Sequence, residues 1–199
     1  MNPGDDTDDE VLARVRLGDE AALAALFQRY HDRLGRFSYS FLRRRELAEE
    51  AVANVFINVW RRRETIVVNT SVRSYLFAAV INQSLNLRRG QTRHSAIWLE
   101  HVPNTLLVEA HGTDRDVLYR ELVSEIESAL ERLPPRQQAI FRMSRFEGLR
   151  YAEIAKSLGM SSRMVQNQML QALKQLALDV PKSSRRVHVH REWSLPRVN

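Results

Sequence analysis

The sequence predicts an all-α protein: two small helical domains joined by a flexible linker, the second containing a helix-turn-helix. Three observations carry this. Apolar residues recur at three- and four-residue spacing along most of the chain, and the only β-branched run, Thr65-Ile66-Val67-Val68, is too short and isolated to build a sheet. The periodicity lapses over residues 91–113, which hold Pro103 and Gly112. Further on, a short periodic segment, Tyr151 to Leu158, is followed by Gly159, Ser161 and an amide-rich segment, the punctuation of a tight turn between two helices.

Composition narrows the classes. With 44% hydrophobic residues in 199, the chain has the material for a core. It has no cysteine, which excludes disulfides and thiolate metal sites and fits a reducing compartment. No apolar run approaches the length of a bilayer span; Leu76 to Ile81 is among the longest. The net charge of +6 is uneven, because residues 1–20 hold seven acids against two arginines, a net of −5 that leaves +11 on the remainder. An acidic start is the reverse of a signal peptide, so a cytoplasmic protein without membrane insertion is expected. A basic body suits a polyanionic partner.

In chain order, residues 1–9 read as an acidic leader. A first helix fits Asp9 to Leu17, stopped by Gly18, and Asp19 can cap a second that carries Leu23, Phe27, Tyr30, Leu34, Phe37 and Phe41. A third runs from about Glu46 to Arg62, with Ala48, Val52, Val55, Phe56 and Val59 on one side. Thr70 or Ser71 opens a fourth, with Val72, Leu76, Ala79, Val80 and Leu87, ending near Gly90. Residues 10–90 thus form the first domain. The linker, 91–113, includes Ile97, Trp98, Leu99, Leu106 and Leu107, apolar enough that it is expected to lie against something.

The second domain spans 114–178. Asp114 caps a helix carrying Val117, Leu118, Leu122, Ile126, Ala129 and Leu133; Pro134-Pro135 breaks it, and Pro135 suits the first turn of the next. That helix carries Ala139, Ile140, Met143 and Phe146 and stops at Gly148. In the helix-turn-helix, Tyr151, Ile154, Ala155 and Leu158 line one face, Ser161 caps, and Val165, Met169, Ala172, Leu173 and Leu176 form the second apolar stripe. The opposite face carries Ser162, Arg163, Gln166, Asn167, Gln171 and Lys174. Arg, Asn and Gln make paired hydrogen bonds to base edges, and the N-terminal half of such a helix reaches deepest into a major groove, so this face is expected to bind DNA. Residues 179–199 are a basic tail expected to be mobile in isolation.

Both domains resemble one family, the extracytoplasmic-function sigma factors of bacterial RNA polymerase. The first domain carries the likeness in Ala48-Glu49-Glu50-Ala51-Val52, Val55-Phe56, Val59-Trp60, Ser74-Tyr75-Leu76, Asn82 and Asn86-Leu87-Arg88-Arg89. The second carries it in Leu133-Pro134-Pro135-Arg136-Gln137-Gln138, Glu147-Gly148-Leu149, Glu153-Ile154-Ala155 and Leu158-Gly159-Met160-Ser161. The resemblance covers residues 10–90 and 114–178. It implies that the first domain docks on the clamp helices of the largest polymerase subunit through Glu49, Glu50, Asn54 and Trp60. The loop Arg63 to Thr70, with Asn69, would hold a flipped-out base. Arg73, Tyr75, Asn82, Asn86, Arg88 and Arg89 would face the minus-10 element. The second domain would read the minus-35 element through Ser162, Arg163, Gln166, Asn167, Gln171 and Lys174 and touch the flap of the second-largest subunit. The linker would thread toward the active-site channel, and an anti-sigma protein would hide these surfaces.

The chemistry is compatible, since an unstacked base needs a polar or aromatic pocket and cations for the backbone. Tyr75 and Phe77 are suited to that pocket and equally to a core. The chain departs from the family pattern at Asn54, where Gln is common, at Asn86, where Asp is common, and at Ile81, where a basic residue is frequent. Arg150 stands in place of a Ser or Thr cap, and apolar Leu170 falls on the DNA side. No phosphate loop, zinc motif or nucleophile–base pair is present, and His188 with His190 falls short of a metal site. No cofactor and no enzymatic activity are expected. The alternative reading is a free-standing helix-turn-helix transcriptional regulator.

Overall fold

The computed structural model describes residues 6–94 and 114–179, and among these residues it contains eight helices and no strand. Most of the expected linker and nearly all of the basic tail, including His188 and His190, lie outside the described residues.

Helix α1 (Asp8–Arg16) begins earlier than the acidic leader allowed. Thr7 and Glu10 form a capping box, with the Thr7 N–H donating to the Glu10 carboxylate at 2.7 Å. Asp8, Asp9 and Glu10 fill the first turn, where the helix dipole favours anions. These acids therefore have a local structural use. Asp8 also accepts from Arg29 at 2.6 Å and from the Tyr30 hydroxyl, pinning α1 to the next helix. Gly18 closes α1 with φ of 86°.

Helix α2 (Glu20–Leu42) starts where Asp19 accepts from the Ala22 N–H at 3.1 Å. Its buried face is Ala22, Leu26, Tyr30, Leu34, Phe37 and Phe41, with Leu23 and Phe27 partly covered. In α3 (Arg45–Arg61) all five expected apolar residues are buried. Helix α4 (Val72–His94) is capped by Ser71, whose hydroxyl accepts from the Ser74 N–H at 3.2 Å. It runs through Gly90 to His94, so Gly90 is not its stop and the first residues of the expected linker are helical. Gly90 has no positive φ; a single glycine inside a long helix weakens it by about 1 kcal/mol without ending it.

Helix α5 (Asp114–Glu131) leads through buried Leu133 to Pro134, and α6 (Pro135–Arg145) takes Pro135 in its first turn. Phe146 differs from expectation: it lies past the end of α6, half exposed, edge-on to buried Phe141 and under the Arg142 guanidinium. Phe141 takes the core place instead, one residue from Ile140 on the packed side. Helices α7 (Tyr151–Ser157) and α8 (Ser162–Asp179) form the helix-turn-helix, with Gly159 at φ 64° and the Ser161 hydroxyl accepting from the Met164 N–H at 3.2 Å. Arg150 caps α7 only in part. Its guanidinium has no acceptor, so only the reciprocal bond forms, from the Arg150 N–H to the Glu153 carboxylate at 2.9 Å.

Helices α1 to α4 pack on one another, as do α5 to α8, and α4 also packs against α6 and α7. One continuous apolar cluster runs through both halves. Phe77 sits fully buried within it, at right angles to Phe37 with ring centroids 5.0 Å apart. It is a core residue, not a base-stacking one. Replacing Phe77 by Ala is expected to lower unfolding free energy by about 3–5 kcal/mol in urea titrations. Tyr75→Phe, by contrast, should leave the transition in place.

Candidate nucleic-acid and polymerase interfaces

Helix α8 presents its expected face as predicted by periodicity. Ser162, Arg163, Gln166, Asn167, Gln171 and Lys174 are all exposed, while Val165, Met169, Ala172 and Leu176 are buried behind them. Residues 163, 167, 170 and 174 share a stripe at three- and four-residue spacing. Leu170 therefore lies within the polar stripe, 53% exposed, and Met164 flanks it at 48%. Gln171 is partly engaged, its side-chain oxygen accepting from Gln137 of α6 at 3.1 Å.

Helix α4 separates the residues assigned to the minus-10 element into two groups. Tyr75, Asn82, Asn86 and Arg89 recur at spacings of seven, four and three, so they lie along one face. Asn82, Asn86 and Arg89 are exposed there, and Tyr75 is half-buried. Burial pushes the Tyr75 hydroxyl above its ordinary pKa, against the opposing charge of Arg62, so it stays a protonated donor. Arg73 and Arg88 lie on the other side of the helix, both half-buried. Arg73 turns to the second half of the chain, donating to the Glu147 carbonyl. Its spacing from the exposed stripe, rather than its charge, was the signal that it points elsewhere. Ile81 is fully buried, so the position where a basic residue is frequent here serves the core.

The loop between α3 and α4 is held at its base. Arg16 donates to the Ile66 carbonyl at 3.1 Å, Ile66 is buried, and the Arg63 guanidinium stacks 4.6 Å from the Trp60 ring. Asn69 is exposed on this anchored loop, beside Val67, which is 71% exposed.

On α3 the exposed face is built from Glu46, Glu49, Glu50, Ala53 and Ile57, flanked by half-buried Asn54 and Trp60. Glu49 pairs with Arg45 at 2.8 Å one turn earlier. Ile57 is the residue sequence reasoning missed. It stands 48% exposed on this face, one turn from Asn54 on one side and from Trp60 on the other. The periodicity of α3 carried the signal, since Ile57 falls four residues after Ala53 and outside the buried stripe.

No helix among the described residues is long and apolar enough to cross a membrane. The chain matches two family models: sigma-70 region 2 over residues 26–94 and sigma-70 region 4 over residues 124–176. It is 28% identical over 171 residues to the RNA polymerase sigma factor NccH of Alcaligenes xylosoxydans xylosoxydans, covering 84% of this chain and 92% of that one. It is likewise 28% identical to the ECF RNA polymerase sigma factor SigM of Mycobacterium tuberculosis, over 86% of this chain and 83% of the relative. Its fold is like that of the sigma factor RpoE of Bartonella quintana, solved in complex with the anti-sigma factor NepR, with a TM-score of 0.61 at 16% identity, over 76% of this chain and 92% of that one. Two sigma-70 regions in order, on an all-α body with two exposed polar helix faces, place this chain in the extracytoplasmic-function group of the sigma-70 family, the promoter-recognising sigma factors of RNA polymerase.

Proposed function

We propose that this sigma factor divides promoter recognition between two helix faces: α8 reads the minus-35 duplex, and α4 with the preceding loop captures the opened minus-10 strand. The observation that supports this most directly is the pairing of an exposed polar stripe with a buried apolar one on each of these helices. Such a face is held rigidly by its own core, which is what ordered contacts to bases require. On α8, Arg163, Gln166 and Asn167 are free to enter the major groove, and Leu170 and Met164 supply apolar surface of the kind that meets a thymine methyl. On α4, Tyr75 offers an aromatic face and a protonated hydroxyl, Asn82 and Asn86 offer amide edges, and Arg89 offers a cation. Arg88 and Arg73 take no part in that stripe, and their role at the minus-10 element requires a different approach of DNA.

In this reading Glu49, Glu50, Asn54, Ile57 and Trp60 meet core polymerase, with Ile57 and Trp60 an apolar pair beside the carboxylates, the kind of small apolar anchor that carries a large share of binding energy. In this reading the two domains run over 8–94 and 114–179, the span of their helices. The protein works in the cytoplasm on core polymerase and promoter DNA, performs no chemistry of its own, and is restrained by an anti-sigma protein. A free-standing helix-turn-helix regulator is the lesser reading, since the whole first half has no use in it.

Co-purification with core polymerase followed by run-off transcription on a promoter library tests the reading; a chain that ignores core polymerase yet occupies duplex sites would overturn it. Ile57→Glu is expected to weaken core-polymerase binding at least tenfold by fluorescence titration, with an unchanged melting temperature. Replacing Arg163, Gln166 or Asn167 by Ala should cost about 1–3 kcal/mol and relax preference at one upstream position, read from competition binding of the assembled holoenzyme. An equal loss on every sequence marks a phosphate contact instead. Asn82→Ala and Arg89→Ala should reduce permanganate reactivity of the minus-10 region more than they reduce upstream protection.

A further inference from the structure

Where the two halves of the chain meet, a polar seam uses up its own side chains. Arg33 and Arg73 close on Glu147, Arg43 pairs with Glu131, and the Ser71 hydroxyl donates to the Glu153 carboxylate at 3.2 Å. The corner between the end of α1 and the loop joining α3 to α4 is different, because it leaves apolar side chains uncovered. Leu17, the carboxy-terminal cap of α1, is 89% exposed, and Val67, on the loop, is 71% exposed. A single apolar side chain in water is ordinary on a protein surface. These two are not scattered. The Arg16 guanidinium donates to the Ile66 carbonyl at 3.1 Å, which sets the residue before Leu17 against the residue before Val67. A second approach falls just beyond Leu17, where a Cβ on Gly18 would stand 3.9 Å from the Arg63 Nε.

Both sides of the corner are held by their own packing. Val11, Leu12 and Val15 are buried in α1, Asp8 ties that helix to Arg29 and Tyr30, and the left-handed turn at Gly18 sends the chain into α2. On the loop, Ile66 is buried and its N–H donates to the Arg62 carbonyl at 2.8 Å. Leu17 and Val67 are thus displayed by ordered backbone, which lowers the cost of binding anything against them. Cations surround them: Arg16, Arg61 and Arg62 are all exposed. The charge of Arg62 is felt at the Tyr75 hydroxyl, so the corner adjoins the α4 stripe, and Asn69 stands two residues from Val67. An apolar patch bordered by guanidinium groups suits a ligand with a flat apolar face and an anionic edge. A nucleobase on its phosphate strand has that form. When one base is drawn out of a strand its neighbour loses a stacking partner, and an apolar side chain laid on the bare face offsets part of that loss.

We propose that Leu17 and Val67 form an apolar shelf for the face of the single-stranded base next to the one held at Asn69, with Arg16, Arg61 and Arg62 drawing in the phosphates of that strand. Helix α1 thereby belongs to the minus-10 interface, although it lies outside residues 26–94, the part matched to sigma-70 region 2. The inference rests on the reading of α4 and its preceding loop as the minus-10 face, to which it adds a second element and a stacking site.

Anisotropy titrations of the assembled holoenzyme with fluorescent single-stranded minus-10 oligonucleotides, each carrying one abasic site, test the shelf. At a position adjoining the captured base, the abasic site is expected to weaken wild-type binding about tenfold. The double variant Leu17→Gln, Val67→Thr should bind the intact oligonucleotide about tenfold more weakly, and the same abasic site should cost it about twofold or less, because both changes remove one contact. Losses that simply add at every position overturn the shelf, and so does a double variant with wild-type affinity. A double variant that binds core polymerase more weakly in the absence of DNA also overturns it, since the corner would then be a protein-docking surface. Both substitutions keep side-chain size at exposed positions, so the melting temperature is expected to stay in place; Leu17→Gln alone, titrated in the same way, gives the answer should the pair not fold. Failure of the minus-10 reading looks different, since no abasic site would then weaken the wild-type holoenzyme and Asn69→Ala would bind as wild type.

Discussion

Everything in this molecule turns on the two-sidedness of helix α4. Leu76, Phe77, Val80 and Ile81 bury one side completely, and Ser84 joins them only because its hydroxyl donates to the Val80 carbonyl at 2.8 Å and meets Ser38. A side buried so fully cannot rotate, since any turn of the helix would bring Asn82 or Asn86 into the core without partners. The opposite stripe is therefore fixed in direction as a consequence of packing. The proposed capture of an unstacked base gains from this, because the backbone that carries the stripe needs no further ordering when the nucleic acid arrives.

The same logic holds on α8 at smaller scale. Val165, Met169, Ala172 and Leu176 set its orientation against α6 and α7, and the Gly159 and Ser161 turn sets its start. The charges behave differently. Glu153 is held below the ordinary carboxylate range even though burial acts to raise it, because the Arg150 N–H and guanidinium and the Ser71 hydroxyl all favour the ionised form. It thus serves as a cap within α7 and as an acceptor across the seam. An acid doing both couples the local geometry of the turn motif to the relation between the halves.

The seam mixes apolar continuity with charge. Arg142 is almost fully buried and makes a two-pronged pair with Glu127 at 2.6 and 3.1 Å, entirely within the second half. Across the seam the arginines are more exposed, and exposed pairs contribute little each.

Much of this was legible in the residues alone. The helices, the Asp19, Ser71 and Ser161 caps, the Pro135 start and the glycine turns follow from local chemistry, in which each residue interacts with neighbours three or four positions away. The exposed face of α8 and the buried face of α3 follow for the same reason. Periodicity also contained Ile57, but family likeness directed attention to charged neighbours. What the tertiary structure alone decided was set by contacts spanning 74 to 114 positions: that Arg73 meets Glu147, that Arg33 joins it, that Ser71 and Ser74 reach Glu153. It decided too that Phe77 packs on Phe37, that Phe146 yields its place to Phe141, and that α4 passes through Gly90. A repeating stripe tells which side of a helix seeks cover, and only the assembled fold tells which other segment provides it.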